Sequence, residues 1–179
     1  NGLAKRFASR FVAGETVASA CDAVAELNAK GITGTLDLLG ESVTNADEAG
    51  ATVTTYLELL DAMHARGLEV NVSVKLTALG LELDLDLCRS LLATVVADAA
   101  ARGIFVRIDM EHSGCTDDTL RLYRELRESG CDNVGIVLQS YLRRTDGDLT
   151  RVLGLGARVR LVKGAYREPG SVEIGRAHV

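Results

Sequence analysis

The fold class is decided by the stretch EVNVSVKL, residues Glu69–Leu76. Its side chains alternate, so that Val72 and Val74 fall on one face of an extended strand, and Ser73 and Lys75 on the other. A strand of a doubly wound sheet is covered by helices on both faces and is therefore apolar throughout. The alternation instead favours one face against helices and one toward a polar interior, as in a (β/α)8 barrel.

Similar alternation recurs along the chain, where Val106 and Ile108 oppose Arg107 and Asp109. Five segments rich in β-branched residues predict strands, at Gly34–Leu39, Glu69–Leu76, Ile104–Met110, Val134–Gln139 and Arg158–Lys163. Apolar residues at helical spacing predict helices over Gly14–Lys30, Asp47–Arg66, Leu83–Ala101 and Thr116–Ser129. Strands that alternate with helices pair in parallel, which gives an α/β fold. We predict a (β/α)8 barrel, with a doubly wound sheet as the alternative.

The predicted strands are fewer than the eight that close such a barrel. We therefore expect an incomplete barrel, formed by an N-terminal helix and about five βα strands, over residues 1–171. The chain ends in EIGRAHV, Glu173–Val179, which matches the translation of a common sequencing adapter. Residues 172–179 are accordingly expected to be a non-native tail.

Composition excludes several classes of function. The net charge of −5 and the absence of a basic cluster argue against nucleic acid as a partner. No apolar run is long enough to span a bilayer, and there is neither a P-loop nor a GxSxG nucleophile motif. Cys21, Cys88, Cys115 and Cys131 form no CxxC pair and no Cys/His spacing typical of zinc, so we predict reduced thiols and no metal site.

Charged side chains collect at the C-terminal ends of the predicted strands, where barrel active sites lie. The residues at these ends are Asp37, Glu41, Lys75, Asp109, Glu111, Arg160 and Lys163, together with the uncharged Met110 and Gln139. Converging cations can hold a substrate carboxylate or the electron-rich edge of a cofactor. A purely structural network of salt bridges inside the barrel is the alternative.

Six segments at these strand ends, in collinear order, resemble the proline dehydrogenase family, either its monofunctional type or the catalytic domain of PutA-like proteins. They are RFVAGET (10–16), DLLGE (37–41), NVSVKLTALG (71–80), FVRIDME (105–111), QSYLRR (139–144) and VRLVKGAYREP (159–169). The resemblance implies a barrel that holds FAD and oxidises L-proline to 1-pyrroline-5-carboxylate. It further implies transfer of electrons to a quinone by a cytoplasmic protein in peripheral contact with the inner face of the membrane.

The resemblance also assigns roles to individual residues of this chain. It implies Asp109 and Arg160 as catalytic residues and Lys75 as the contact of the proline carboxylate, while Glu41 gates the pocket. The cofactor contacts that it implies are Met110, Gln139, Lys163, Gly164 and Ala165. Tyr166 continues the last of these segments and borders the site.

The chain departs from the family in having no final helix with paired arginines and a tyrosine. The resemblance implies that Glu41 would pair with an arginine of that helix, and that residues of later strands hold the ribityl and adenine portions of FAD. We therefore expect the chain by itself to bind FAD poorly and to be inactive. A different βα-barrel enzyme, such as a lyase or isomerase acting on a small anionic substrate, is the other alternative.

Overall fold

Five parallel strands form one sheet in chain order in the computed structural model, which describes residues 12–175. The strands are β1 (Gly34–Asp37), β2 (Val70–Val74), β3 (Val106–Ile108), β4 (Val134–Gln139) and β5 (Val159–Val162). Val72 lies opposite Val106, and Ile108 lies opposite Ile136. The predicted order and parallel pairing of the strands are confirmed.

Four strands are shorter than predicted, because regular parallel pairing covers only part of each predicted segment. β3 ends at Ile108, although the Asp109 N–H still donates to the Val74 carbonyl at 2.9 Å. Lys75 and Asp109 therefore lie just beyond the last paired residues of β2 and β3, whereas Asp37 and Arg160 lie within β1 and β5.

Helices connect the strands, and side-chain caps fix where three of them begin. Thr16, Asn45 and Asp84 each accept the N–H of the residue three positions on, which satisfies a donor left open at the helix start. The helices are α1 (Val17–Asn28), α2 (Ala46–Ala65), α3 (Leu85–Ala101), α4 (Thr116–Glu128) and α5 (Thr145–Leu153), and two short 3-10 helices span Thr77–Leu79 and Ser113–Cys115.

The core lies between the helices and the outward face of the sheet. Val72, Val74, Val106 and Ile108 are fully buried there, as the alternation predicts. The Tyr56 hydroxyl of α2 reaches the sheet and donates to the Ser73 carbonyl at 2.8 Å. This packing fixes the end of β2, and with it the start of the loop that carries Lys75.

The inward face carries charge at both ends. Near the strand starts, the guanidinium groups of Arg107 and Arg158 lie 4.8 and 5.1 Å from the centre of the Phe105 ring. Gly135 of β4 leaves room for this cluster, since a Cβ there would come within 2.6 Å of that ring. Asp109 and Arg160 lie at the opposite end of the inward face, which is the candidate site.

The end of the described chain packs against the segment that follows β4. The Ile174 N–H donates to the Tyr141 carbonyl at 2.8 Å, and Leu142 forms an antiparallel bridge with Glu173. Residues 176–179 of the expected tail, and residues 10–11 of the first family-like segment, lie outside the described residues. Among residues 12–175, no helix combines the length and the apolar character needed to cross a bilayer.

Candidate functional site

A cleft of about 430 Å³ opens at the C-terminal ends of the strands. Six of the nine predicted site residues line it: Glu41, Lys75, Asp109, Met110, Arg160 and Ala165. The other three, Gln139, Lys163 and Gly164, lie beside the cleft and not on its lining. A similar cleft at the other end of the sheet, beside His64 and Arg102, holds none of the predicted residues.

Asp109 lies between the two cations of the site. Its carboxylate is hydrogen-bonded to Arg160, and its second oxygen lies 3.9 Å from the Lys75 ammonium nitrogen. The same guanidinium nitrogen of Arg160 lies 3.2 Å from the Ser73 hydroxyl oxygen. Because Arg160 comes from β5 and Lys75 from the end of β2, Asp109 holds together charges from distant strands.

Lys75 has a carboxylate partner to which the sequence analysis assigned no role. Its ammonium group is hydrogen-bonded to Asp37 at the end of β1. Burial by itself would lower the pKa of Lys75, but the hydrogen bond and charge of Asp37, together with the charges of Asp109 and Glu41, raise it. Lys75 is therefore cationic at neutral pH, and since an ammonium has three hydrogens it can still bind an anion in the cleft.

Gln139 is buried, and its amide group points at backbone just beyond the end of the neighbouring strand β3. The amide nitrogen donates to the Met110 carbonyl at 2.8 Å and to the Glu111 carbonyl at 2.7 Å. Its oxygen is buried without a partner among the described residues. Gln139 can therefore offer a ligand an acceptor only, since both of its donors are engaged.

Glu111 is a buried carboxyl in the wall of the cleft, and the sequence analysis gave it no role. It accepts hydrogen bonds from the Thr77 N–H at 2.9 Å and from the Thr77 hydroxyl at 2.5 Å. Burial raises the pKa of Glu111, and the two bonds from Thr77 offset only part of that increase. The sequence does show Thr77 at the turn after β2. It could not reveal the contact with Glu111, because the two residues are 34 positions apart.

Glu41 and Tyr166 meet across the rim of the cleft. The Tyr166 hydroxyl lies 3.3 Å from a Glu41 carboxylate oxygen, to which it donates. Burial and the nearby charge of Glu41 raise the pKa of Tyr166. Glu41, for which the resemblance implies a gating role, thus has a contact from the segment that follows β5.

Lys163, Gly164 and Ala165 form the turn after β5. Gly164 adopts a φ of +113°, and a Cβ there would lie 2.0 Å from the Tyr141 ring. The Lys163 carbonyl accepts the Tyr141 N–H at 3.0 Å. The small residue at 164 is required by this packing on Tyr141, while Ala165 faces the cleft.

An arc of parallel strands with its charged cleft at the C-terminal ends defines a protein of the (β/α)8-barrel class. Residues 20–178 match the family model described as Proline dehydrogenase. The chain belongs to the proline dehydrogenase family, as the sequence analysis predicted.

Two curated relatives show how much of the family protein is present. Proline dehydrogenase of Deinococcus radiodurans is 41% identical over 169 residues, which is 92% of this chain and 54% of the relative. Proline dehydrogenase 1 of Bacillus subtilis strain 168 is 35% identical, with the same coverage of both chains. The chain thus spans about half the length of these relatives.

Solved structures show the same fold. Proline utilization A (PutA) from Bdellovibrio bacteriovorus inactivated by N-propargylglycine superposes with a TM-score of 0.80 at 28% identity, over 89% of this chain and 20% of that protein. A mutant of Bradyrhizobium japonicum PutA superposes with a TM-score of 0.68 at 21% identity, over 84% of this chain and 18% of that protein. At this identity the match shows likeness of fold alone. The predicted α/β barrel class is confirmed, and the described residues form a five-stranded part of it.

Proposed function

We propose that this protein oxidises L-proline to 1-pyrroline-5-carboxylate with FAD as the hydride acceptor, and that the electrons pass to a quinone. The observation that carries the proposal is one cleft, in a chain of the proline dehydrogenase family, that gathers Lys75, Asp109 and Arg160. Reduction of a quinone, with peripheral contact at the inner face of the membrane, follows from the family resemblance.

The residues around the cleft fit a flavin. Part of the wall is apolar, formed by Met110, Val137 and Val162, and suits the face of an aromatic ring. Two buried polar atoms at this end of the sheet, Gln139 Oε1 and Arg160 Nε, have no partner among the described residues. A flavin edge carries both donors and acceptors, and when bound the ring takes up the hydride that leaves the proline carbon next to nitrogen.

The charges of the cleft would position the substrate. Lys75 would bind the proline carboxylate as a point charge, and Asp37 keeps its ammonium in place. Asp109 holds Arg160 by a hydrogen bond, so that the guanidinium faces the cleft as a fixed positive charge. Holding the substrate in this orientation would raise the rate of hydride transfer.

The test uses two proteins in parallel. One is this chain, and the other is a chimaera in which the part of the Deinococcus radiodurans relative outside the matched region is joined to it. Each is incubated with FAD, desalted, and treated anaerobically with L-proline while the visible absorbance is recorded. We expect the chimaera to retain a flavin spectrum and to bleach with proline.

The outcomes separate the parts of the proposal. If the chimaera retains flavin that proline does not bleach, proline is not the substrate. If flavin is lost on desalting, FAD is not the cofactor, and a barrel enzyme that acts on a small anion is favoured.

In the chimaera, Lys75→Met should raise the proline concentration for half-maximal bleaching by about 10- to 100-fold, as expected for one charged hydrogen bond. Exposed Lys30, mutated to Met, is the control.

A further inference from the structure

A second group of chemically active side chains lies beside the cleft, next to Tyr166 of its wall. His112 Nε2 lies 3.1 Å from a Glu82 carboxylate oxygen and 3.2 Å from the Cys115 sulfur. The three ligand atoms all lie within 4.8 Å of one another. Glu82 comes from the segment between β2 and α3, and the other two residues follow β3.

The local structure holds these three side chains together. The 3-10 helix Ser113–Cys115 brings residues 112 and 115 to one side, because its turn is about three residues long. Gly114 leaves space for the imidazole, since a Cβ there would come within 3.1 Å of His112 Nδ1. The Ser42 hydroxyl donates to the second oxygen of Glu82 at 3.2 Å. Supporting contacts of this kind orient metal ligands in proteins.

Hydrogen bonds within the cluster cannot satisfy the three side chains together. His112 Nε2 carries at most one hydrogen. If that hydrogen points to Glu82, the buried Cys115 thiol has no acceptor at this nitrogen. If the nitrogen instead accepts from the thiol, it has no hydrogen to donate to the nearby Glu82 carboxylate. A cation placed among the three atoms would satisfy all of them at once.

We propose that Glu82, His112 and Cys115 bind a divalent transition-metal ion of the Zn²⁺ type, with water in the fourth position. Imidazole nitrogen, thiolate sulfur and carboxylate oxygen are the ligands that Zn²⁺ takes in proteins. Tetrahedral bonds of about 2.0 to 2.3 Å require ligand atoms roughly 3.3 to 3.6 Å apart. The two distances from His112, 3.1 and 3.2 Å, need to widen by a few tenths of an ångström. The Glu82 oxygen and the Cys115 sulfur, which lie within 4.8 Å of each other, must come to about 3.6 Å.

Binding would join two loops beside the cleft. The thiol hydrogen of Cys115 leaves as a proton to solvent when the metal binds, so the affinity falls as the pH is lowered. The His112 ring also packs edge-on against Tyr166, with ring centres 6.2 Å apart. The metal would therefore fix the position of a side chain that contacts Tyr166 in the wall of the cleft.

Cobalt(II) provides the test, because a thiolate ligand gives Co²⁺ an intense sulfur-to-metal absorption in the near ultraviolet. The purified chain is titrated with Co²⁺ and then with Zn²⁺ under reducing conditions. We expect one equivalent to bind, the thiolate band to appear, and Zn²⁺ to abolish it. Cys115→Ser should remove the band and weaken binding at least tenfold, whereas Cys131→Ser, a cysteine outside the cluster, should leave both unchanged.

A second variant keeps the proposal testable if Cys115→Ser does not fold. Glu82 is exposed, and Glu82→Gln should keep the far-ultraviolet circular dichroism of the parent and the thiolate band, but weaken Zn²⁺ binding about tenfold. Absence of the band in the parent, its persistence in folded Cys115→Ser, or unchanged affinity in Glu82→Gln would overturn the proposal. None of these measurements depends on proline or FAD, so they are independent of the proposed function.

Discussion

Glu111 shows how a single buried carboxyl at the cleft couples to the stability of the fold. Its side chain is nearly inaccessible to solvent and is held by two hydrogen bonds from Thr77. Burial raises its pKa in spite of those bonds. A raised carboxyl pKa means that the folded state favours the protonated form, so the contribution of Glu111 to stability is greatest in acid.

We predict that Glu111→Gln makes the free energy of unfolding less dependent on pH. In the parent, the contribution is fully present below the unfolded pKa of about 4.3 and is lost as the pH rises through the raised folded pKa. The neutral amide does not ionise, so the variant should lose less stability than the parent from about pH 4 to neutral pH. Urea unfolding at a series of pH values measures this. Glu58→Gln, at an exposed position of α2, is the control, and parallel curves for Glu111→Gln and the parent would contradict the prediction.

Sequence periodicity located the site at residue level but not its contacts. Alternation along β2 and β3 assigned Lys75 and Asp109 to the inward face, and both line the cleft. It could not indicate that both donors of Gln139 are used by the carbonyls of Met110 and Glu111, just beyond β3. It also missed the Glu82, His112 and Cys115 cluster, because Glu82 is 30 residues from His112 and only the fold brings them together.

The turn after β5 is the element whose conformation depends most visibly on one residue. Gly164 combines a positive φ with close contact to the ring of Tyr141. The Tyr141 hydroxyl in turn donates to the Tyr166 carbonyl at 3.0 Å, so the ring braces the whole turn. A side chain at 164 would disturb the wall of the cleft through this ring.

We predict that Gly164→Ala lowers the free energy of unfolding by about 2 to 5 kcal/mol, because the positive φ strains the backbone by about 1 to 2 kcal/mol and overpacking against Tyr141 costs about 1 to 3 kcal/mol. Urea unfolding at neutral pH measures the change. Gly170→Ala is the matched control, because a Cβ at 170 meets no atom within 4 Å. Equal stabilities of the two variants would show that the turn adjusts without cost, contrary to the packing described.

Element order could be predicted from the sequence, whereas element ends could not. β4 matches its predicted bounds, but β3 keeps only Val106–Ile108, because pairing with both neighbours sets its length. The alternation of strands with helices implied a helix between β4 and β5, but gave no residue bounds for it. Its sequence TDGDLTRVL has few apolar residues, and its start is fixed by the Thr145 hydroxyl, which donates to the Gln139 carbonyl at 2.5 Å.

At the scale of the whole molecule, the sheet is best covered at its centre and least at β5. Each of β2, β3 and β4 pairs on both sides, whereas the described sheet pairs β1 and β5 on one side only. Ile108 and Ile136 are fully buried, but Leu161 of β5 is 58% exposed, since no described helix packs over that face. Amides of a strand with one partner and an exposed face should open at lower free energy than those at the centre.

We therefore predict that hydrogen exchange is slowest in β3 and β4 and at least tenfold faster in β5, with protection falling from Ile136 toward Val162. Exchange monitored by mass spectrometry of peptic peptides, at several protein concentrations, measures this gradient. Peptides of β2, which is paired on both sides, provide the internal reference for a fully covered strand. If β5 exchanges as slowly as β3 at every concentration, its face is covered within one chain, and the described packing is wrong at this edge. If its protection instead rises with concentration, a second copy covers the edge, as expected for an open strand with unpaired backbone groups.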